Sequence, residues 1–141
     1  MKTYDNALFK REVQNIALQS NNPKIYGLAG PNADTYLRYL KRKGFSDITL
    51  FENNYNTFFE QKRKKLGCKL IYDDIRNQLG SNAFYDYDFC CNIITVEQWL
   101  PEMLLVPEYA MTFSIRGIGE KETLRIFRKY SDSHYIRYRD T

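Results

Sequence analysis

The amino-acid sequence predicts a single α/β domain with a mostly parallel sheet covered by helices on both faces. The main observation is a repeated switch between two hydrophobic periods, so that short strand-like runs alternate with helix-like segments. Gly, Asn and Pro residues separate these segments and supply turns and caps. The chain has 141 residues, which is enough for one domain with one continuous core. We therefore expect βαβ units in a doubly wound, three-layer sheet formed by residues 1–141.

Three helices and three strands are predicted in the first half of the chain. The helices are expected at residues 5–20, 34–43 and 55–66, and the first of them is a leading helix within residues 1–22. The strands are expected at residues 24–28, 47–52 and 68–72. Gly44 and Gly67 follow the second and third helices and are expected to end them, whereas Asn53 and Asn54 can cap the third helix at its start.

The second half of the chain is predicted to continue this alternation. A short irregular or helical stretch to residue 82 precedes a strand at 88–95, a helix at 96–105, a strand at 109–115, a helix at 120–130 and a closing strand at 135–139. The strand at 88–95 is predicted from its Phe-Cys-Cys-Asn-Ile-Ile run, which is typical of burial on both faces. Pro101 lies inside the helix at 96–105 and must bend or divide it.

Charge and aromatic content each leave two interpretations open. The formal net charge is +4, and basic residues form runs at 41–43 and 62–65. Such runs are typical of a polyanion-binding surface, but cations are also favoured near helix C-termini, where both runs are predicted to lie. The twelve Tyr and nine Phe residues either close the core with large rings or present rings that stack on nucleic-acid bases.

Cysteine usage and hydropathy indicate the compartment. Cys68, Cys90 and Cys91 are an odd number without framework spacing, which argues against a secreted disulfide scaffold. The first residues lack the apolar segment of a signal peptide, and no apolar run approaches the roughly 20 residues that a membrane-spanning helix needs. The sequence therefore predicts a cytoplasmic protein with no membrane partner.

The residues that follow each predicted strand form the candidate site, because open α/β sheets bind ligands at the carboxyl ends of their strands. The first strand leads into the run Gly-Leu-Ala-Gly-Pro-Asn at residues 27–32, where glycines allow close backbone approach and the next helix presents free N–H groups. Glu52 follows this loop by about 20 residues, the spacing at which a carboxylate accepts hydrogen bonds from ribose hydroxyls. Asp73 and Asp74 end the third strand, where a carboxylate can reach an adenine amino group.

With these elements and strand ends in this order, residues 5–130 resemble the class I S-adenosylmethionine-dependent methyltransferases, which have a Rossmann-like fold. The resemblance implies S-adenosylmethionine as the cofactor. It places Gly27, Ala29 and Gly30 beside the methionine moiety, Glu52 at the ribose, and Asp73 or Asp74 with Ile75 around the adenine. The segment around Asn92 would then face the methyl acceptor.

The candidate catalytic residues are Asn92, Asp88 and Tyr87, which would orient or deprotonate the acceptor. The family's amino-methylating enzymes have Asn or Asp followed by Pro-Pro and an aromatic residue, whereas Asn92 is followed by Ile93 and Ile94. We therefore expect slow or absent methyl transfer by the isolated chain, with activity appearing when a protein partner completes the acceptor site. The basic runs and the Tyr-rich segments favour RNA or DNA as the acceptor.

Two rival functions remain open at this stage. One is a non-catalytic Rossmann-like interaction module, for example an accessory protein of a virus or mobile element, that kept the fold and lost the ligand. The other is a nucleotide-binding sensor that uses the same loop without methyl transfer.

The sequence contains neither a G-x-x-x-x-G-K-[ST] phosphate loop nor the three-glycine dinucleotide pattern. Its single His, His134, and the lack of a C-x-x-C pair predict no zinc site.

Overall fold

Five parallel strands form one sheet in the order β3-β2-β1-β4-β5. The computed structural model describes residues 24–30, 33–42, 44–89 and 91–131. The strands are β1 (Lys24–Gly27), β2 (Asp47–Glu52), β3 (Lys69–Tyr72), β4 (Phe84–Asp88) and β5 (Glu108–Thr112). This all-parallel sheet with flanking helices confirms the predicted Rossmann-like, three-layer class. The leading helix predicted at 5–20 and the closing strand predicted at 135–139 lie outside the described residues.

The helices follow the predicted alternation. They are α1 (Ala33–Arg42), α2 (Tyr55–Arg63), α3 (Ile93–Val96), α4 (Leu100–Met103) and α5 (Gly119–Arg128), with 3-10 turns at Ile75–Gln78 and Glu97–Trp99. Helix α2 ends three residues earlier than predicted, because Lys65 adopts a positive φ of 49° and breaks the helix before Gly67 is reached. No helix among the described residues is both long enough and apolar enough to cross a bilayer.

Two apolar layers cover the two faces of the sheet, because successive side chains of a strand point to opposite faces. On one face, Ile25 and Leu50 pack against Leu37 and Leu40 of α1. On the other face, Tyr85 and Tyr87 of β4 pack with α3, α4 and α5. Each buried Leu of α1 contributes about 2 kcal/mol of apolar burial, so this layer fixes α1 and the loop before it against β1.

The predicted strand at 88–95 is wrong, because β4 is the segment Phe84–Asp88 and residues 93–96 form α3. Asn92 caps α3, since its Oδ1 accepts a hydrogen bond from the Ile94 N–H at 3.1 Å. Ile93 is fully buried in the core, so tertiary packing outweighs the strand propensity of the Ile-Ile-Thr-Val run. Asp86 and Asp88 lower the mean hydropathy of β4, so its sequence does not show the apolar run that is typical of a buried strand.

The prediction for Pro101 is confirmed. A 3-10 turn at Glu97–Trp99 separates α3 from α4, and Pro101 lies in the first turn of α4. A proline is tolerated there because the N–H groups of the first turn have no partner within the helix. The helix predicted at 96–105 is therefore divided into short segments that start at Ile93.

Candidate functional site

The carboxyl ends of β1, β2 and β3 lie side by side at one edge of the sheet. Gly27 pairs in register with Leu50, and Glu52 pairs with Tyr72. The backbone carbonyl of Glu52 accepts a hydrogen bond from the N–H of Asp73 at 3.1 Å. The predicted candidates on these three strands therefore do meet at one edge, which we call the carboxyl edge.

Gly27 makes room for a tyrosine. A Cβ atom at Gly27 would lie 2.7 Å from the hydroxyl of Tyr36 in α1. That hydroxyl donates a 2.7 Å hydrogen bond to Oδ2 of Asp86, the β4 residue that pairs with Gly27 in the sheet. Burial, and then the nearby charge of Asp86, raise the pKa of Tyr36 well above its usual value, so Tyr36 stays a hydrogen-bond donor. Sequence reasoning missed the contact between Tyr36 and Asp86, because the predicted strand began at residue 88 and Asp86 was therefore not placed in the sheet.

Gly30, in contrast, borders open space. Its φ is +64°, and no atom of another described residue beyond its chain neighbours lies within 4 Å of the position that a Cβ would occupy. Its carbonyl accepts a 2.8 Å hydrogen bond from Nε2 of Gln61, a side chain only 1% exposed. Oε1 of Gln61 is buried and accepts no hydrogen bond from any residue that the structure describes. Such an unsatisfied buried acceptor is rare and requires an explanation. Ala29 is buried in the apolar layer under α1, so it reaches the site through its backbone alone.

The carboxylate of Glu52 is held in a fixed orientation at the end of β2. Its Oε1 accepts a hydrogen bond from the N–H of Asn54 at 3.0 Å. Asn54 in turn caps α2, since its Oδ1 accepts from the N–H of Thr57 at 3.1 Å. Glu52 is half-buried and forms no ion pair with a described residue. One of its oxygens thus remains available to a ligand donor.

Asp73 and Asp74 have different environments. Oδ1 of Asp74 accepts from the backbone N–H and Nε of Arg76, and its Oδ2 lies 2.6 Å from Nη2, so Arg76 occupies both oxygens. These bonds lower the pKa of Asp74. Oδ1 of Asp73 accepts from Nδ2 of Asn77 at 2.8 Å and from the N–H of Asp74, and these bonds lower its pKa. Asp73 forms no ion pair with a described residue, and Ile75 is fully buried in the core.

The three candidate catalytic residues do not converge. The side chain of Tyr87 lies in the core on the other face of the sheet from Asp86, and its hydroxyl donates to the carbonyl of Met103 at 3.1 Å. Burial raises the pKa of Tyr87. Oδ1 of Asp88 accepts a 2.6 Å hydrogen bond from the hydroxyl of Thr112. Asn92 caps α3, and its Nδ2 donates to the carbonyl of Arg116 at 3.2 Å.

Comparison with known proteins identifies no relative. The chain matches no protein-family model, no curated protein and no solved structure. Among the described residues, no three His, Cys, Asp or Glu side chains lie close enough together to hold a metal ion.

The chemistry of the carboxyl edge follows from its charges. Glu52 and Asp73 accept hydrogen bonds from hydroxyl, amino or ammonium groups, and neither is neutralised by a neighbouring described cation. An edge of this kind favours a neutral or cationic ligand and disfavours a phosphate, because like charges repel strongly where the site is partly shielded from water.

Proposed function

We propose that the protein binds S-adenosylmethionine at the carboxyl edge and is a methyltransferase-like protein. The observation that carries this proposal is the pair of carboxylates, Glu52 and Asp73, which lie at the same edge of the sheet as the Gly30 turn and form no ion pair with a described residue. S-adenosylmethionine is a nucleoside with a positively charged sulfonium and no phosphate, so it matches an acidic edge of this kind. Dinucleotides and nucleoside triphosphates carry several negative charges and match it poorly.

The residues present fit this ligand at three points. Glu52 would accept hydrogen bonds from the ribose hydroxyls, and Asp73 would accept one from the adenine amino group. The backbone at Gly30 would lie against the ligand, because no described residue fills the space in which a Cβ at Gly30 would lie. Gln61 supports this turn from beneath, because its Nε2 donates to the Gly30 carbonyl, whereas its buried Oε1 presents no surface to a ligand. When bound, the cofactor supplies an electrophilic methyl group.

Asp74, Ile75 and Gly27 have structural roles in this proposal. Asp74 is occupied by Arg76, Ile75 belongs to the core, and the space beside Gly27 belongs to Tyr36. Asp73 is therefore the better candidate of the two neighbouring acids.

A second candidate function is a non-catalytic interaction module. The contacts of Asn92 and Tyr87 favour it, because the polar atoms of both side chains form hydrogen bonds with backbone groups of the protein itself. Neither side chain is then available to orient an acceptor or to take a proton from it. This candidate and cofactor binding are compatible, since a protein can retain a ligand after losing turnover.

Calorimetric titration tests whether the protein binds the cofactor. We expect S-adenosylmethionine and its demethylated product to bind, and ATP to bind at least about tenfold more weakly, a difference of about 1.4 kcal/mol. The absence of binding by both adenosyl ligands would overturn the proposal, and equal binding of ATP would overturn the argument from charge.

Transfer of labelled methyl groups to RNA, DNA and protein extracts then tests catalysis. We expect slow or undetectable transfer by the isolated chain. Robust turnover that is lost in Asn92→Ala would refute the module and establish Asn92 as a catalytic residue. Asn56→Ala is a matched control, because Asn56 is an exposed asparagine in α2 that holds no residue of the proposed site.

A further inference from the structure

Basic side chains meet where the outer face of α1 contacts the C-terminal end of α2. Nζ of Lys41 donates to the carbonyls of Leu66 and Gly67, at 3.1 and 3.3 Å. Nζ of Lys64 lies 3.7 Å from Oδ1 of Asp34, in the first turn of α1. These two contacts fix the segment 64–67 along the length of α1.

Arg38 and Arg42 lie on the same side of α1 as these contacts. Arg38 follows Asp34 by one helical turn, and Arg42 follows Arg38 by another turn, about 6 Å further along the helix axis. Lys65 lies within the segment that contacts α1. Arg38, Arg42 and Lys65 are exposed and form no ion pair with a described residue. We call the four cations at this junction the basic surface: Arg38, Lys41, Arg42 and Lys65.

Lys65 has a backbone conformation that is unusual for a lysine. Its φ is +49°, and no other non-glycine residue that the structure describes has a positive φ. Lys65 directly follows Lys64, the C-cap of α2, at a position where glycine is the common residue because it has no Cβ. The Lys65 side chain forms no hydrogen bond with a described residue, so it does not offset this strain within the fold. Strained residues of this kind are frequent at functional sites.

The acids that neighbour the basic surface on the two helices are each paired with a cation outside it. Asp34 pairs with Lys64, and Oε1 of Glu60 lies 3.0 Å from Nη1 of Arg63. Lys41 keeps its positive charge, because its hydrogen-bond partners are neutral carbonyls. The basic surface therefore carries four positive charges that no carboxylate of α1 or α2 offsets.

The unpaired acids of the protein lie elsewhere. Glu52 and Asp73 follow the carboxyl ends of β2 and β3, whereas Arg42 precedes the amino end of β2. Asp47 begins β2 and lies beside Lys24, its partner in the sheet register. The positive surface and the acidic carboxyl edge are therefore separate regions of the molecule.

We propose that the basic surface binds the phosphate backbone of duplex nucleic acid. Protein interfaces and membrane-inserted helices present apolar or aromatic side chains, and the exposed rings of α2, Tyr55 and Phe59, lie in its first half beside Tyr72 of β3. The basic surface offers charges alone, which bind phosphates and do not stack on bases. A duplex presents phosphates on two strands, so it has a higher charge density than a single strand.

Fluorescence anisotropy with labelled duplexes of about 20 base pairs, as RNA and as DNA, tests the surface. We expect the variant Arg38→Gln, Arg42→Gln, Lys65→Gln to bind at least about tenfold more weakly than the unmodified protein. The slope of log affinity against log salt should fall by about 3, since each phosphate contact to a duplex contributes about 0.9. Circular dichroism checks that the variant is folded.

A matched control removes the same net charge from other parts of the chain. Lys69→Gln, Lys121→Gln, Arg128→Gln replaces three exposed cations of β3 and α5 that form no ion pair with a described residue. This variant should keep the affinity and the salt slope of the unmodified protein. Equal losses in the two variants would show that net charge alone attracts the duplex, which would overturn the proposal.

Lys65→Gly separates binding from folding, and it also serves if the triple variant does not fold. The midpoint of urea denaturation should rise, because glycine adopts a positive φ without strain. Duplex binding should nevertheless weaken, and the salt slope should fall by about 1. A stabilised variant that binds the duplex as tightly as the unmodified protein would overturn the role of Lys65.

Three further results would overturn the proposal. They are no binding of either duplex at about 50 mM salt, tighter binding of a single strand of the same length, and binding of phosphatidylserine vesicles without binding of a duplex. The proposal does not depend on cofactor binding, because the basic surface and the carboxyl edge use different side chains. All variants should therefore bind S-adenosylmethionine as the unmodified protein does, which separates this test from that of the cofactor site.

Discussion

The hydroxyl of Tyr36 lies 2.7 Å from the position that a Cβ at Gly27 would occupy. The same hydroxyl donates to buried Asp86, so Gly27 is a glycine because Tyr36 must pass it to reach β4. We expect Gly27→Ala to lower the free energy of unfolding by about 1–3 kcal/mol, because the new methyl group displaces the hydroxyl from its partner. Urea denaturation measures this change.

Tyr36→Phe provides the control for that prediction. It removes the donor to Asp86 and should itself cost about 1–3 kcal/mol. In the Tyr36→Phe background the nearest ring atom lies at 3.4 Å from the added Cβ, an ordinary contact, so Gly27→Ala should then cost much less. Additive effects of the two substitutions would contradict this account of Gly27.

Gly30 and Gly44 form a matched pair of glycines. Both have positive φ, +64° and +96°, and among the described part of the chain no atom of a non-neighbouring residue lies within 4 Å of the position that a Cβ would occupy at either glycine. Gly30→Ala and Gly44→Ala should each lose about 1–2 kcal/mol of stability from backbone strain. Only Gly30→Ala should weaken the binding of S-adenosylmethionine, by at least about tenfold or 1.4 kcal/mol, because only its side chain enters the proposed ligand space. Equal affinities in calorimetry would remove Gly30 from the site.

Glu52 and Asp47 are acids at opposite ends of β2. Charge-assisted hydrogen bonds contribute roughly 1.5–3 kcal/mol, so Glu52→Ala should weaken cofactor binding at least about tenfold. Asp47→Ala removes an exposed acid from the amino end of the same strand and should leave affinity unchanged. A large loss of stability in Glu52→Ala with unchanged affinity would show that Glu52 serves only to hold Asn54.

The Asp74–Arg76 pair predicts an acid-dependent loss of stability. Hydrogen bonds from Arg76 lower the pKa of Asp74 in the folded protein below its ordinary value of 3.8. The stabilisation is therefore fully present above the unfolded pKa and is lost as the pH falls through the lower folded pKa. Asp74→Asn keeps a capping side chain without the charge and should cost about 1 kcal/mol at pH 7 and less at pH 3. Urea denaturation that shows the same cost at both pH values would contradict this role for the charge.

Much of the fold could be predicted from the sequence because local signals agree with tertiary packing. The predicted bounds of β2 match the structure, and those of α1 differ by a single residue. Both segments place their regularly spaced apolar side chains in the same core, and Gly44, with its positive φ, follows the end of the helix. The strand β4 was missed because alternating Asp residues reduce its hydropathy. The sequence could not predict that Tyr36 would reach Asp86, because the two residues are 50 positions apart and meet only through the register of β1 and β4.

The sequence predicted that the candidate residues meet at one edge of the sheet, but it did not predict the contacts of their side chains. The order of the strands brings Glu52 and Asp73 together, as the βαβ pattern indicated. Arg76 pairs with Asp74 and not with Asp73 because of the local turn that follows β3. Asn92 caps α3 because β4 ends at Asp88, before Asn92 is reached. The ring contacts of Tyr72 in β3 with Tyr55 and Phe58 in α2 could not be predicted from composition, because they depend on how α2 packs beside β3.

The most direct test of cofactor binding at the carboxyl edge is the map of backbone amide shifts in a nitrogen-15 NMR spectrum during titration with S-adenosylmethionine. We expect the largest shifts at residues 28–30, 52–54 and 73–74, and almost none along α5 on the other face of the sheet. Absence of shifts at saturating ligand, or shifts centred on α5, would contradict the site.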